Sequence, residues 1–300
     1  TLESIRDKES FRPPVTAALR GIENLDPEIE KEGQEAEDRY LQSYPFHPGL
    51  TGVFYEKWTN LESFQEARGV LRIMALAVRD SPKWDDSPLI STNAFLSPPA
   101  QADLDEAASE LATIAAQEEY DGKTQNWTAI LEGELSRARE LQERFAALSG
   151  REIEQVMFAI FLHSQPKGHT AKLQDLRRLL GHTRPDEIEL TQALKELTST
   201  SWFLDEKHFP DGRKEVAREW RLGSRPNLTQ MHDKAKSRVE DLVETNLKKG
   251  IRDTKSLTKG ASGAGAIAHT LPGKPADIKD DGQFHYAVLG PDAASYPGDP

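Results

Sequence analysis

Residues 151–223 read REIEQVMFAIFLHSQPKGHTAKLQDLRRLLGHTRPDEIELTQALKELTSTSWFLDEKHFPDGRKEVAREWRLG, and their rhythm decides the fold. Ile153, Val156, Met157, Ile160 and Phe161 recur at helical spacing, and Leu173, Leu176, Leu179 and Leu180 repeat it up to a stop at Gly181. Asp186 opens a third helix carried by Ile188, Leu190, Leu194 and Leu197. Two strand-like pieces follow, SWFLDE and AREWRLG, separated by KHFPDGRKEV with its turn residues Pro210, Asp211 and Gly212. Three helices followed by a two-stranded hairpin is the order of a winged helix-turn-helix domain, expected over 151–225.

Outward toward the N-terminus, SYPFHPGLTGVFYEKW (43–58) holds an extended or turned backbone at Pro45 and Pro48 before Leu50, Val53, Phe54 and Trp58 recur as a helix. In SFQEARGVLRIMALAVRD (63–80), Phe64, Ala67, Leu71, Met74 and Val78 form one face, and Val70, Ile73 and Ala77 widen it. That pattern predicts a helix packed on nearly all sides, with Arg68, Arg72 and Arg79 as exceptions and a stop at Ser81–Pro82. Residues 40–100 thus read as one helical region, with 88–99 an irregular connection rich in Ser and Pro. Helices over 103–116 and 126–148 make a connector at 101–150. The acidic stretch 26–40, weakened by Gly33, makes 1–39 another connector.

Outward toward the C-terminus, Pro226 opens an amphipathic helix over 226–250, apolar at Leu228, Met231, Ala235, Val239, Leu242 and Leu247 and closed at Gly250. Residues 251–300 hold GASGAGA and the strand-like QFHYAVL, and read as a linker and the start of a further α/β domain.

The chain has 300 residues, room for about two domains, with 37% hydrophobic and 29% charged residues. This is the composition of a folded, helix-rich soluble protein, and no run approaches the ~18 to 20 apolar residues of a membrane-spanning helix. Zero cysteines exclude disulfides, thiolate metal sites and cysteine nucleophiles, and fit a cytoplasmic protein. The first residue is Thr, so the chain reads as an excerpt of a longer protein.

Residues 1–150 hold 15 Lys and Arg against 28 Asp and Glu, whereas 151–250 hold 18 against 16. Any contact with double-stranded DNA therefore falls in 151–250, because phosphate binding needs Lys and Arg. There Arg177, Arg178 and Arg184 flank the helix-turn-helix, Gln192 and Lys195 lie on its recognition-helix position, and Arg213 and Lys214 sit at the wing tip. Winged helices also serve as protein–protein modules, and that alternative stays open.

Other motifs are weaker. The Gly-rich run 258–268 lacks the Gly-Lys-Ser/Thr of a phosphate loop and reads as a flexible loop. WFLDE (202–206) has too short an apolar run for a Mg²⁺-positioning strand and reads as an ordinary strand end. The eight histidines form no HExxH, so no metal site is expected; His47 reads as a structural loop residue and His163 as a capping one. Arg68 and Arg72, four apart, share one helix face and need an anion, either a structural carboxylate or a nucleotide phosphate.

The YPFHP element and the FQ-x-x-RG-x-LR element together resemble the AAA-like ATPases of the domain of unknown function 499 family, found with DNA methyltransferases and helicases in anti-phage defence loci. Weaker likeness continues through AIFLHSQ, SWFLDE, RPNLTQMHDKA and ADIKDDGQFHYAVLGP, covering most of 40–292. The resemblance implies a mainly α fold: an AAA-type helical lid over about 40–100, a winged helix after it, and a core binding ATP and Mg²⁺ outside this chain. It makes Arg72, or failing it Arg68, the nucleotide-sensing arginine of the lid, with no catalytic residue in this fragment. It also implies coupling of ATP hydrolysis to DNA binding or remodelling, defence or DNA-modification proteins as partners, and a possible homo-oligomer. Ala67 stands where that family often has Thr. A non-enzymatic DNA-binding or regulatory module and an assembly scaffold remain as alternatives.

Overall fold

Val15, Ala18 and Ile22 share a buried stripe of the first helix, α1 (Lys8–Leu25), which lies within the 1–39 segment expected as a helical connector. The computed structural model describes residues 8–61, 64, 66–81, 84–99, 101, 103–115, 119–120, 123–124, 126–166, 168–207 and 218–291. The stretch after α1 is cut by Gly33, at φ 52°, into α2 (Glu28–Glu32) and α3 (Gln34–Ser43). Ile29, Ala36 and Tyr40 are buried, so this acidic segment packs with α1 in a small cluster of its own.

Next come α4 (Pro48–Glu56), α5 (Glu66–Asp80), α6 (Glu106–Ile114) and α7 (Trp127–Gln142), with a short antiparallel pair, β1 (Glu119–Tyr120) and β2 (Lys123–Thr124), before α7. Asp105 caps α6 through Ala107 N–H, and Asn126 caps α7 through Thr128 N–H. Both helices are shorter than their apolar patterns predicted.

The 151–223 stretch folds as α8 (Glu152–His163), β3 (Ala171–Lys172), α9 (Leu173–Leu180), α10 (Glu187–Thr200), β4 (Leu204–Lys207) and β5 (Glu219–Leu222). The strands form an antiparallel sheet ordered β3-β5-β4, with Ala171 opposite Trp220 and Leu204 opposite Leu222. Asp186 caps α10 through Glu189 N–H, and the left-handed Arg184, at φ 56°, turns the chain from the 3-10 turn Gly181–Thr183 into that cap.

Every residue of α8 is buried, so α8 is the axis of the core. Phe158 stacks on Phe95 at 5.0 Å, while Phe161 meets Trp58 and Trp127, each at 5.7 Å. Trp58 Nε1 donates to the Leu162 carbonyl at 3.0 Å. Each such side chain contributes about 1.5–3 kcal/mol by burial. One hydrophobic core thus runs through 50–77, 107–148 and 153–222.

One sequence expectation gains a feature here and one fails. The 88–99 segment is irregular as expected, yet part of the core: Ser91 to Ser97 are all buried, Ser91 Oγ donates to the Leu179 carbonyl, and Thr92 Oγ1 donates to Gln155 Oε1. Its Ser, Thr and Asn side chains satisfy the core's polar groups, a use composition does not reveal. The helix α5 is packed on one side only, burying Val70, Ile73, Met74 and Ala77 while Ala67, Arg68, Leu71 and Arg72 are exposed.

Residues Thr1–Gln230 form one compact unit and Met231–Pro300 a second. The helix α11 (Leu228–Asp253) continues through Gly250 rather than closing there. In the second unit, 3-10 turns occupy Lys255–Leu257 and Ser262–Ala264, the latter within the 258–268 run read as a flexible loop, and β6 (Ala266–Thr270) pairs in parallel with β7 (Phe284–Val288). Among the described residues no helix is long and apolar enough to cross a membrane.

Candidate functional site

Gly69 explains the Arg-Gly of the α5 motif. A Cβ there would lie 1.8 Å from the Phe64 carbonyl oxygen, so only glycine lets the chain entering α5 fold over its first turn. With that turn fixed, Arg68, Leu71 and Arg72 emerge on one exposed stripe, Leu71 being 69% exposed. Arg72 Nε lies 2.8 Å from Glu110 Oε1 on α6, and its side chain is 67% exposed. Arg79 pairs with Glu106 at 2.9 Å. The guanidiniums of Arg72 and Arg79 are therefore surface groups, paired with structural carboxylates of α6. Pairs of this kind contribute about 0–1 kcal/mol and leave the cation available to a stronger anion.

The arginines expected to flank a helix-turn-helix, Arg177, Arg178 and Arg184, are engaged within the chain. Arg178 Nε lies 2.5 Å from Asp26 Oδ2 and its Nη2 3.1 Å from Glu32 Oε1, which ties α9 to the N-terminal helices. Those bonds hold the Asp26 carboxyl below its ordinary range despite the opposing effect of burial. Arg177 pairs with Glu187 at 3.1 Å, and Arg184 Nη2 donates to the Ala17 carbonyl at 3.0 Å. Gln192 and Lys195 are exposed on α10, with Gln192 reaching Glu196 at 3.4 Å. Arg213 and Lys214 lie outside the described residues. The exposed or half-exposed acids of α10 and its cap, Asp186, Glu187, Glu189 and Glu196, outnumber its one lysine.

The YPFHP element is structural, as the reading of His47 anticipated. His47 Nδ1 accepts from Gly49 N–H, capping α4, which leaves the proton on Nε2, 3.0 Å from both the Arg178 carbonyl and Tyr40 Oη. Its backbone N–H donates to the Ile90 carbonyl, and Ile90 N–H donates to Pro45, the Tyr44–Pro45 bond being cis. Burial, then the neighbouring His182, pushes the His47 imidazole down to about 3. His163 is likewise pushed down to about 3 by burial and by Lys57, whose Nζ donates to His163 Nδ1 at 3.3 Å.

Sequence reasoning missed Lys57. Its Nζ also donates to the carbonyls of His163 and Thr170, and burial lowers its pKa. Lys57, Arg39, Arg178 and His47 line a cavity of about 640 Å³, but the lysine's three donors are occupied and both arginines bind Glu32. Among the described residues no group of three or more His, Asp or Glu is arranged to hold a metal ion. No protein-family profile, curated protein or solved structure matches the chain.

Proposed function

We propose that this chain is the lid and winged-helix region of an AAA-like ATPase, with ATP and Mg²⁺ held by a core outside these 300 residues. In this reading Arg72, assisted by Arg68, touches the nucleotide's terminal phosphates, and hydrolysis alters the lid's position. The observation that carries it is the exposed Arg68–Leu71–Arg72 stripe on a helix whose opposite side is buried. A sensing arginine must leave its own domain to reach a phosphate, and planar guanidinium donors suit that task. The α8–β3–α9–α10–β4–β5 order with β5 central supports the winged-helix part. The core shared by α4, α5 and α8 supports coupling, since a lid packed this closely cannot turn without carrying α8 along.

The winged helix in this proposal contacts a protein of the defence or DNA-modification system rather than reading duplex DNA. Specific support comes from α10, where Ile188 is 78% exposed among Glu187, Glu189 and Glu196. Acids at a recognition helix repel phosphates, and an exposed isoleucine suits a protein surface.

The test is ATP turnover by the polypeptide carrying both core and lid, comparing Arg72→Ala with Arg79→Ala. The proposal expects at least a tenfold loss of kcat for Arg72→Ala, with little change for Arg79→Ala. Equal turnover in the two variants would overturn it.

A further inference from the structure

The strands β6 and β7 carry a row of titratable side chains that the proposed function leaves unused. Ile267 stands opposite His285 in the parallel register, and His269, two residues on, shares their face of the sheet. His285 Nε2 lies 2.9 Å from Asp281 Oδ1, and His285 Nδ1 lies 2.8 Å from His269 Nε2. Asp281 Oδ1 also accepts from the Gln283 N–H at 3.1 Å. The bonds from His285 and Gln283 hold the Asp281 carboxyl below its ordinary range, so it is ionised and can only accept. His285 Nε2 therefore carries a proton. A neutral His285 then accepts at Nδ1, which puts the His269 proton on Nε2 and a lone pair on His269 Nδ1. That nitrogen has no partner among the described residues and is open to solvent.

The two imidazoles lie end to end, their centroids 5.1 Å apart, so a shared proton fills the gap and leaves no room for a cation. A carboxylate and a histidine lined up behind a nucleophilic atom form the arrangement that activates it. Charge selects the substrate. The cluster's one formal charge is the negative Asp281, which repels phosphoryl oxygens and not an uncharged carbonyl. Ile267, 39% exposed on the same face, offers apolar contact to an acyl chain. We propose that His269 is the nucleophile of an acyl-transfer site that takes uncharged activated esters or thioesters, with His285 and Asp281 as its relay. His269 Nδ1 attacks the carbonyl carbon, and the bond to the leaving oxygen or sulfur breaks with its electron pair on the leaving group. The Nε2 proton of His269 passes to His285 Nδ1, and Asp281 holds the imidazolium so formed. Water then adds to the acyl carbon and the carbon–nitrogen bond breaks, while His285 returns the proton to His269 Nε2. One water proton stays in the acid released and the other neutralises the leaving group. The site lies wholly within Met231–Pro300, so it stands or falls separately from the lid reading.

The experiment treats the 300-residue chain at neutral pH with limiting diethyl pyrocarbonate, an uncharged activated carbonyl, and follows each histidine by peptide mass spectrometry. Expected is labelling of His269 at least tenfold faster than that of His169, an exposed histidine outside the cluster. Asp281→Asn should slow His269 at least fivefold and leave His169 unchanged. Release of p-nitrophenolate from p-nitrophenyl acetate should fall in His269→Ala and not in His169→Ala. His269 labelled no faster than His169 overturns the proposal, as does a His269 rate that Asp281→Asn leaves untouched. Equal p-nitrophenolate release by His269→Ala and the unaltered chain overturns it too. A further readout needs no variant: nitrogen-15 NMR of the histidines should place the His269 proton on Nε2, and a proton on Nδ1 instead would overturn the relay.

Discussion

At Gly181 and Gly21 the chain approaches itself so closely that a Cβ on Gly21 would lie 2.2 Å from the Gly181 carbonyl oxygen, and one on Gly181 would lie 2.4 Å from Ile22 Cα. Backbone cannot yield as a flexible side chain can, so Gly181→Ala should cost about 2–4 kcal/mol in urea unfolding. A cost under about 0.5 kcal/mol would mean that α1 does not dock there. Buried histidines give a second residue-scale prediction. His47 and His163 are held near 3 and His182 near 4, mainly by burial, against ordinary values near 6.5. The unfolded chain then binds more protons than the folded one between those limits. Stability from these groups is complete above about pH 6.5 and is lost as pH falls toward 4 and 3. Glu152, raised by burial, opposes with one group, and Asp26 and Glu32, both lowered, act below this range. Unfolding free energy should drop on the order of 3 kcal/mol from pH 6.5 to 5; an unchanged urea midpoint would contradict neutral buried imidazoles. The structural role of His47 was legible from its flanking prolines. Lys57 and the Gly21–Gly181 approach were not, because their partners lie far away in sequence.

The helix α5 shows what periodicity can and cannot tell. Apolar residues at seven of its positions gave its existence and span, but Leu71 and Ala67 belong to the exposed side, so hydrophobicity alone misassigned the faces. As Arg72 is paired only at the surface, Arg72→Ala should alter unfolding free energy by less than about 1 kcal/mol. A large loss would make the Glu110 pair structural and remove the basis for a nucleotide role. The helix α10 yields an electrostatic prediction. With Arg177 and Arg178 paired internally and acids flanking Lys195, the chain should show no salt-sensitive duplex binding at physiological ionic strength. Tight duplex binding that weakens steeply with salt, measured by fluorescence anisotropy, would restore the DNA-reading alternative.

Across the whole chain, the mainly helical class and the three helices and two strands of 151–223 were legible because strong local periodicities and turn residues wrote them, whereas the two-residue β3 between α8 and α9 was too short to leave a pattern. The continuity of the core was not, since Phe54, Phe95, Phe158 and Phe161 come from segments of unlike composition that meet only on folding. In the proposed reading that continuity relays motion through the chain, starting at the exposed stripe of α5. Hydroxyl-radical footprinting of the polypeptide carrying core and lid, with and without a non-hydrolysable ATP analogue, tests this most directly. The account predicts that nucleotide protects Leu71 on α5, while Tyr55 on α4, itself 56% exposed, stays equally reactive. Leu71 oxidised to the same extent in both states would contradict the claim that α5 faces a bound nucleotide.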